Sequence, residues 1–377
     1  MSRTLVVSTT FPQYPGDPRG EFILRHWEQA AHRGVAVRIL APRTAWCSGV
    51  LPGPCEIIRF DYAPRVLATL TGNFGILENI RDRPWRALLV WPLVRALQGA
   101  LRRELEAGGI ERVVAHMLLP GGWIVAQECV RYGVPFELFG HGTDVDVLLW
   151  LPRPLRDRYA GWMGHADAVR FPSAEKRSRF ERLFAGVVAS ERLIVEPMIH
   201  CVPAGPPRAV HGPRSGPPTI LYLGRLIPQK GVDDLFAAAL AMSPVPRLEI
   251  AGDGPHRRRL ERLARRLGLP ARFHGFVHAH AKHELLSQAD VVCVPSRDVA
   301  GLSEGAPLVV REAFAYGVPV VATRVGGIPE MEHAAGKMVL VPPRDIPALT
   351  RALTAVLAGE VEAQTGPRGS TRAGLAV

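Results

Sequence analysis

Short apolar runs alternate with helical patterns along the first half of the chain. The apolar runs that predict strands are 4–9, 35–42, 111–117, 135–142, 167–173 and 192–197. Between them, residues 21–34 have the spacing of an amphipathic helix that ends at Gly34, and a second helix is predicted around 121–133. Strands that alternate with helices are typical of a parallel sheet covered on both faces, because each crossover returns the chain through a helix.

A second series of the same kind follows a stretch crowded with proline and glycine. Residues 200–218 carry no periodic signal and form the predicted linker. Beyond it, the strands predicted are 219–226, 247–254, 271–277, 290–296 and 318–325. Helices are predicted near 232–242 and at 256–267, and residues 303–317 are predicted as a loop followed by a helix that ends at Gly317. The predicted organisation is a first α/β domain at 1–199, the linker, a second α/β domain at 219–357 and a disordered tail at 358–377. Two doubly wound sheets joined in this way bind ligands in the cleft at the carboxyl ends of their strands.

Length and charge narrow the class of protein. A chain of 377 residues exceeds the size at which one hydrophobic core usually keeps growing, which again favours two domains. Its formal net charge of +11 favours ligands or surfaces that carry phosphate, including nucleotides and anionic lipid. The basic residues are not interleaved with a stacking aromatic pattern, so we expect no nucleic-acid partner.

The cysteines and the chain start indicate the compartment. There are five cysteines without a CxxC spacing, which argues against a disulfide framework or a zinc site and favours a reducing compartment. The apolar run at the start is too short for a signal-peptide core, and no eighteen apolar residues run uninterrupted. We therefore expect a cytoplasmic protein, with the inner face of the plasma membrane as a second possible location.

The sequence LYLGRLIPQKG, residues 221–231, places Gly224, Arg225 and Lys230 in the loop between a strand and a helix. Backbone amides, the positive end of the helix and two cations would converge there, which suits a diphosphate. A solvated loop with two surface cations remains equally compatible with this pattern. The Gly-rich turn EIAGDGP, residues 249–255, is more simply a tight connection than a ligand contact.

Two carboxylates stand out in SEGAPLVVREAFAYGVPVVAT, residues 303–323. Glu304 is predicted in the loop at the carboxyl end of a buried strand, and Glu312 one to two turns inside the following helix. A buried carboxylate without a partner costs several kcal/mol, so each must face a partner or a ligand. One such carboxylate could hold the adjacent hydroxyls of a ribose and the other the hydroxyls of a sugar, with a phosphate between them.

Taken together, these motifs resemble a known family. The Glu304/Glu312 pair, the LGRLIPQKG loop, the IAGDGP turn and the GFV stretch at 275–277 are similar to the retaining, GT-B-fold glycosyltransferases of the large family 4. The likeness covers nearly the whole chain to about residue 357. FPQYPGDPRGEF, residues 11–22, is similar to the opening of that family, and the FGHGTDVD stretch carries His141 where the family has its active-site histidine. The EGAP and HGTD forms look most like members that build exopolysaccharide or lipopolysaccharide.

The resemblance implies roles for individual residues. The donor would be a nucleoside-diphosphate sugar, and Arg225 and Lys230 would neutralise the departing diphosphate, so no metal and no cofactor are expected. Glu312 would hold the ribose diol and Glu304 the donor sugar, which His141 would approach from the first domain. Gly20 would let the backbone come near the phosphates, because it lacks a Cβ. The remaining donor-binding positions implied are Gly224, Gly305, Ala306 and Leu308.

His141 also has a structural interpretation, because a lone histidine at a strand end is more often a satisfied structural residue. The neighbouring HGTD residues favour the functional one. Asp144 could orient the imidazole, or it could cap the next helix. The glycine pair Gly326 and Gly327 predicts a turn, with or without ligand contact.

The predicted function is transfer of a sugar from a nucleoside-diphosphate sugar to a glycan or lipid-linked acceptor with retention, in cell-surface polysaccharide synthesis. Two alternatives remain open. The first is a catalytically degenerate GT-B protein that binds nucleotide sugar or a partner. It is motivated by the tail EVEAQTGPRGSTRAGLAV, which replaces the family's crossing helix. The second is another GT-B enzyme, such as a nucleotide-sugar 2-epimerase or a phosphorylase.

Residues 83–103 raise the question of membrane contact. RPWRALLVWPLVRALQGALRR mixes tryptophans and leucines with five arginines, and basic amphipathic segments of this kind can lie in a bilayer interface. A helix whose apolar face packs on the sheet explains the same pattern. Peripheral membrane contact is therefore a prediction with a structural alternative.

Overall fold

The computed structural model describes residues 3–72, 75–197, 216–332 and 338–360. Within these ranges the chain forms two parallel sheets with helices on their faces. The strands of the first sheet are β1 (Arg3–Ser8), β2 (Ala36–Pro42), β3 (Glu56–Phe60), β4 (Ile110–His116), β5 (Phe136–Phe139), β6 (Ala168–Phe171) and β7 (Leu193–Val195). Its helices are α1 (Glu21–His32), α2 (Ile76–Asp82), α3 (Val90–Ala107), α4 (Trp123–Tyr132), α5 (Thr143–Val147), α6 (Arg153–Met163) and α7 (Ala174–Leu183).

The second sheet and its helices lie in residues 219–357. Its strands are β8 (Thr219–Leu223), β9 (Arg247–Ala251), β10 (Ala271–Gly275), β11 (Val291–Val294), β12 (Val320–Thr323) and β13 (Met338–Val341). The helices are α8 (Val232–Leu240), α9 (Arg257–Arg266), α10 (Ala279–Gln288), α11 (Leu308–Ala315) and α12 (Ile346–Leu357).

Both sheets have the doubly wound order. The first runs β3-β2-β1-β4-β5-β6-β7 and the second β10-β9-β8-β11-β12-β13, and every strand pair is parallel. The direction of winding reverses between β1 and β4 and again between β8 and β11, and ligands of such folds bind at these switch points. The predicted α/β class with two doubly wound parallel sheets is confirmed. The edge strands β3 and β13 were not predicted.

The cores explain why the central strands read as continuous apolar runs. Val6 of β1 lies opposite Ile39 of β2 and Val114 of β4, and Ile39 and Val114 are almost wholly buried, as is Val6 itself. Helices cover both faces of the sheet, so the central positions of these strands are shielded from water, and the exposed positions lie at strand ends such as Arg3 and Glu111. The second sheet follows the same rule, with all four residues of β11 and of β12 buried.

Polar contacts join the two domains beside the cleft. Lys176 of α7 donates to Asp146 of α5 at 2.9 Å and to the Ser303 hydroxyl of the second domain at 2.7 Å. Asp146 also accepts from the Ser303 backbone amide at 2.8 Å. The Glu330 carboxylate, from the second domain, accepts from the Ala174 and Glu175 amides at the start of α7, at 2.6 and 2.7 Å. The loop that carries Glu304 is therefore tied to the first domain.

Residues 83–103 divide into two parts. The apolar face of α3, including Leu93, Leu97 and Leu101, is fully buried in the core of the first domain, as the structural alternative expected. The turn that precedes α3 leaves Trp85 and Leu88 exposed, and Trp91 in the first turn of α3 is also exposed. In the described part of the chain, no helix is long and apolar enough to cross a membrane.

Some predictions concern residues that the structure does not describe. Most of the linker at 200–218 and most of the tail at 358–377 lie outside the described residues, as does Cys201. The boundaries proposed for these segments stay predictions. The other four cysteines are Cys47, Cys55, Cys129 and Cys293, and all of them are free.

Candidate active site

The loop after β8 carries the two predicted cations and has little freedom of its own. The Gly224 amide donates to the Ala251 carbonyl at 2.9 Å, and the Tyr222 hydroxyl donates to the Arg225 carbonyl at 2.8 Å. Gly252 packs against this loop so closely that a Cβ there would collide with the Gly224 carbonyl oxygen. The Gly-rich turn after β9 therefore supports the backbone of the cation loop, which explains its glycines without a ligand contact.

Lys230 and Glu304 form an ion pair between the loops that follow β8 and β11. The Lys230 ammonium lies 2.6 Å from Oε1 of Glu304, and the Ser296 hydroxyl donates to the same oxygen at 2.9 Å. Burial alone would raise the pKa of Glu304, but the charge and hydrogen bond of Lys230, the Ser296 hydroxyl and the charge of Arg225 hold it below its usual value. Glu304 is therefore an ionised acceptor at neutral pH.

A small pocket opens at this ion pair. From the second domain it is lined by the predicted residues Arg225, Lys230 and Glu304, and from the first domain by Glu78 and Thr143. The other lining residues are Ile227, Gln229, Leu302 and Ser303. The pocket therefore lies between the two domains, and three of the four residues predicted as catalytic line it.

Gly305, the residue after Glu304, packs against the backbone of the first domain. A Cβ on Gly305 would lie 3.4 Å from the His141 carbonyl oxygen and 3.5 Å from the Gly142 Cα, so the two loops touch across the cleft. Gly326 packs beneath the same loop, and a Cβ there would collide with the Glu304 carbonyl oxygen. The predicted turn at Gly326 and Gly327 thus supports the Glu304 loop.

Glu312 lies away from this pocket, on α11. It is almost buried, and its Oε1 accepts from the Lys282 ammonium of α10 at 2.8 Å. Leu308 begins α11, and Ala306 packs against the adjoining apolar cluster. The second predicted carboxylate is therefore also paired with a cation, and sequence patterns gave no indication of Lys282 as its partner.

His141 contacts a second histidine that the sequence did not single out. Nδ1 of His116, at the end of β4, lies 2.9 Å from Nε2 of His141, and the Trp27 indole donates to Nε2 of His116 at 2.8 Å. Phe22 packs edge-on against the His141 ring, with 5.0 Å between the ring centroids. The position of His116, at the carboxyl end of the strand beside the switch point, is the sequence signal that could have identified it.

Both histidines are held in the neutral form. Burial, and to a smaller extent the charge of His26, lower the pKa of His141 to about 3. Burial also lowers the pKa of His116, followed by its interactions with His141 and His26. Desolvation disfavours the charged imidazolium, so neither ring carries a charge at neutral pH.

The Asp144 carboxylate binds backbone amides, including those of Asp144 and Val145 in the first turn of α5. The carboxylate also accepts from the backbone amides of His141 and Leu118, both at 2.8 Å, and makes no contact with the imidazole. The helix that follows, α5, has Gly142 as its N-cap without a side-chain cap. Asp144 therefore fixes the backbone that carries His141, because two inward-facing amides would otherwise lack partners.

Gly20 is required by the backbone around it. It adopts a left-handed conformation (φ +68°) as the N-cap of α1, and a Cβ there would lie 2.5 Å from the Thr10 carbonyl oxygen. Its contact with the loop after β1 places it at the carboxyl edge of the first sheet, near the switch point. The phosphate approach implied by the resemblance stays a prediction.

Comparison with known proteins places this site in a family. The model of the family described as "Glycosyl transferases group 1" matches residues 207–369. A Corynebacterium glutamicum protein named GDP-mannose-dependent monoacylated alpha-(1-6)-phosphatidylinositol monomannoside mannosyltransferase is 30% identical over 300 residues, 76% of this chain and 70% of its own length. The chain belongs to the glycosyl transferases group 1 family. This confirms the predicted family; the retaining mechanism stays a prediction.

Other members of the family and their structures are similar over different lengths. GDP-mannose-dependent alpha-(1-6)-phosphatidylinositol monomannoside mannosyltransferase from Mycolicibacterium smegmatis is 36% identical over 233 residues, 58% of this chain and 59% of its own length. The chain thus spans about three fifths of the length of that relative. Among solved structures, sucrose-phosphate synthase from Thermosynechococcus elongatus superposes with a TM-score of 0.74 at 21% identity, covering 94% of this chain and 90% of that one. The expected GT-B fold is confirmed.

Proposed function

We propose that this protein is a glycosyltransferase that moves a sugar from a nucleoside-diphosphate sugar to a glycan or lipid-linked acceptor, with retention of the anomeric configuration, in cell-surface polysaccharide or glycolipid synthesis. The observation that carries the proposal is the pocket between the two domains. There Arg225 and Lys230 flank the ionised Glu304, and Thr143 lies on the opposite wall. Two cations at the end of a strand suit the two phosphates of a diphosphate.

In the proposed reaction the bond between the anomeric carbon and the β-phosphate oxygen breaks. The acceptor hydroxyl attacks from the same face, and its proton passes to the departing phosphate. Arg225 and Lys230 stabilise the charge that grows on that phosphate, a contribution worth about 10²–10³ in rate per donor group in comparable sites. Lys230 already neutralises Glu304, so it can contact the sugar-holding carboxylate and the phosphate together.

Glu312 is proposed to hold the ribose diol of the donor. Its carboxylate is almost buried, and Lys282 contacts only Oε1 in the structure. Lys282 fixes the position of the carboxylate and balances its charge. A carboxylate has two oxygens and can accept from two adjacent hydroxyls at once.

A membrane-bound acceptor is favoured by an exposed surface next to the pocket. This tryptophan surface consists of Trp85, Leu88, Trp91 and Trp150, with 42%, 79%, 68% and 45% of their area exposed. Arg81 of α2 stacks on Trp150 at 5.9 Å from the ring centroid, and Arg95 stacks on Trp91 at 5.5 Å. Glu78, on the same helix α2, lines the pocket. Tryptophans with arginines are typical of proteins that lie in a bilayer interface.

The test of the activity is a panel of nucleoside-diphosphate sugars, read by release of the nucleoside diphosphate. GDP-mannose comes first, because two relatives are named for their dependence on it. Each donor is assayed with and without a membrane extract as acceptor, and with a chelator. We expect release that needs the extract and survives the chelator. Conversion of a donor without any acceptor would instead indicate an epimerase, and binding without turnover a degenerate protein.

The membrane contact is tested separately, by flotation with vesicles that contain anionic lipid. The triple variant Trp85→Ser, Leu88→Ser, Trp91→Ser should lose vesicle binding. Val50→Ser is the matched control, since Val50 is 87% exposed in the first domain and lies outside the tryptophan surface. Equal flotation of the triple variant and the control would refute the membrane contact and leave the transferase proposal untouched.

A further inference from the structure

The contacts of Trp27 determine where His116 carries its proton. An indole nitrogen can only donate a hydrogen bond, and it lies 2.8 Å from Nε2 of His116. Nε2 of His116 therefore accepts, with its lone pair facing the indole. Since His116 is neutral, its single ring proton lies on Nδ1.

The same reasoning determines the tautomer of His141. Nδ1–H of His116 faces Nε2 of His141 at 2.9 Å, so Nε2 of His141 is the acceptor. A proton on Nε2 of His141 would bring two N–H groups head to head. The proton of the neutral His141 ring must then lie on Nδ1. In the described part of the chain, Nδ1 of His141 has no hydrogen-bond partner, so this N–H is available to a ligand.

We propose that Trp27 and His116 fix His141 as the tautomer protonated on Nδ1, which makes His116 a positioning residue for the sugar site. The catalytic consequence rests on the proposed function: His141 donates from Nδ1 to an oxygen of the donor sugar. It does not act as a base through Nε2, because the lone pair there is occupied. The Trp27 indole cannot accept a hydrogen bond. It therefore determines which atom donates in the Trp27–His116 hydrogen bond and, through His116, in the His116–His141 hydrogen bond.

The alternative to this arrangement is a free choice of tautomer. A neutral histidine exposed to water populates both forms, so a hydrogen bond that needs Nδ1–H would be made only by the fraction in that form. If the tautomer is fixed before the ligand binds, all of the protein can make this hydrogen bond. Trp27 contacts His116, and His116 contacts His141, so in this proposal Trp27 and His116 act through His141.

Two variants of His116 separate the two hydrogen bonds. The amide nitrogen of asparagine stands as many bonds from Cα as Nδ1 does, so His116→Asn keeps a donor facing His141. The amide of glutamine reaches the position of Nε2, so His116→Gln keeps a partner for Trp27 and loses that donor. The two variants are both uncharged and polar, and they differ in which bond survives.

The direct readout is the tautomer itself, in the ligand-free full chain labelled with ¹⁵N-histidine. A two-bond proton–nitrogen correlation spectrum at neutral pH distinguishes the protonated ring nitrogen from the bare one, and His141→Phe identifies the His141 signals. We expect His141 protonated on Nδ1 in the wild type and in His116→Asn, and a mixture of forms in His116→Gln. A wild-type spectrum with Nε2 protonated, or an unchanged spectrum in His116→Gln, would overturn the proposal.

Trp27→Phe provides a second route if His116→Gln does not fold. It removes the indole donor and should release His116, and with it His141, into a mixture of tautomers. An unchanged His141 spectrum in a folded Trp27→Phe protein contradicts the proposal as well.

The kinetic readout distinguishes positioning from general damage. His116→Gln should lower kcat/KM for the donor by less than the roughly tenfold loss expected for the whole hydrogen bond, because the fraction of His141 protonated on Nδ1 would still donate. Affinity for the free nucleoside diphosphate should not change, and His116→Asn should lose less than His116→Gln. Equal losses in the two variants would argue for a structural role. A chain that shows the expected spectra and no transfer would uphold the tautomer and refute the proposed function.

Discussion

The carboxyl edges of the two sheets meet across one cleft and carry opposite kinds of chemistry. At the first edge, Trp27, His116 and His141 form a row of neutral hydrogen-bonding rings. At the second, Lys230 pairs with Glu304, and, further along, Lys282 pairs with Glu312. The strand order is the same in both sheets as far as the sixth strand. Topology therefore places a site at each edge, and the side chains alone decide what it can hold.

This difference in charge between the two edges indicates which parts of a substrate each edge could bind. A buried, uncharged row can satisfy the hydroxyls of a sugar, but it offers no charge to a phosphate. The second edge holds both signs of charge, each neutralised within the protein while no ligand is present, which avoids the cost of a buried unpaired ion. In the proposed complex the diphosphate of the donor would lie against the cations of the second edge, and the sugar would lie between Glu304 of that edge and His141 of the first.

The largest effect expected comes from removing a cation of the second edge. Lys230→Ala should lower kcat about 10²–10³-fold, because Lys230 would no longer stabilise the departing phosphate and Glu304 would lose its partner. The matched control is Arg266→Ala, which removes one positive charge from the exposed face of α9 in the same domain. If the two variants had equal steady-state turnover, the proposed role of the second edge in stabilising the departing phosphate would be wrong.

The next effect concerns the second carboxylate. Glu312→Ala should weaken binding of the free nucleoside diphosphate by about 10- to 100-fold, the value of one charge-assisted hydrogen bond. Lys282→Ala keeps the carboxylate and should lose less. Isothermal titration calorimetry measures both, and an unchanged affinity in Glu312→Ala would remove its ribose-binding role.

A smaller effect is expected at the neutral edge. His141→Phe removes one neutral hydrogen bond to the sugar and should lower kcat/KM for the donor about tenfold. Binding of the free nucleoside diphosphate should stay the same, because the proposal assigns that part of the donor to the second edge. If calorimetry showed equal losses for donor and nucleotide, the proposed division of the substrate would be wrong.

The smallest effect is on stability against pH. With its pKa lowered to about 3, His141 stays unprotonated in the folded chain, whereas an unfolded histidine binds a proton below about pH 6.5. The free energy of unfolding therefore falls as the pH drops from about 6.5. The lowered pKa values of His116 and His26 act in the same direction.

Urea unfolding at pH 5 and pH 7.5 measures this dependence. His141→Phe should show a shallower loss of stability between the two values, and His116 and His26 would account for the remainder. A variant with the wild-type slope would show that His141 is protonated in the folded chain.

The sequence was sufficient to predict eleven of the thirteen strands that the structure describes and the two loops that carry Lys230 and Glu304. Apolar runs such as TLVVST and VVCVPS predict their strands because helices cover both faces of each sheet, so most of their side chains are buried and apolar. The short edge strands β3 and β13 were missed, because three residues in each are only partly buried and the pattern is weak. Glu304 and Lys230 could be expected to meet, since both follow strands that end at the same edge.

Contacts across the cleft could not be predicted in this way. Lys176 and Ser303, or Glu330 and Ala174, are separated by more than a hundred positions, and no local pattern links them. The partner of His141 was missed for a related reason: His116 is one of thirteen histidines, and only the pairing of β4 with β5 brings the two rings together. Such pairings depend on tertiary geometry.

The carboxylate of Glu330 gives the two domains a built-in reporter. It accepts from the Ala174 and Glu175 amides, so the first turn of α7 is completed by a residue from the other domain. Any motion that parts the domains must leave those two amides without their acceptor, exposed to solvent. Their hydrogen–deuterium exchange would then measure how often the cleft opens, and its slowing on addition of a donor would measure closure. The exchange rate of these two amide protons therefore reports the movement between the domains.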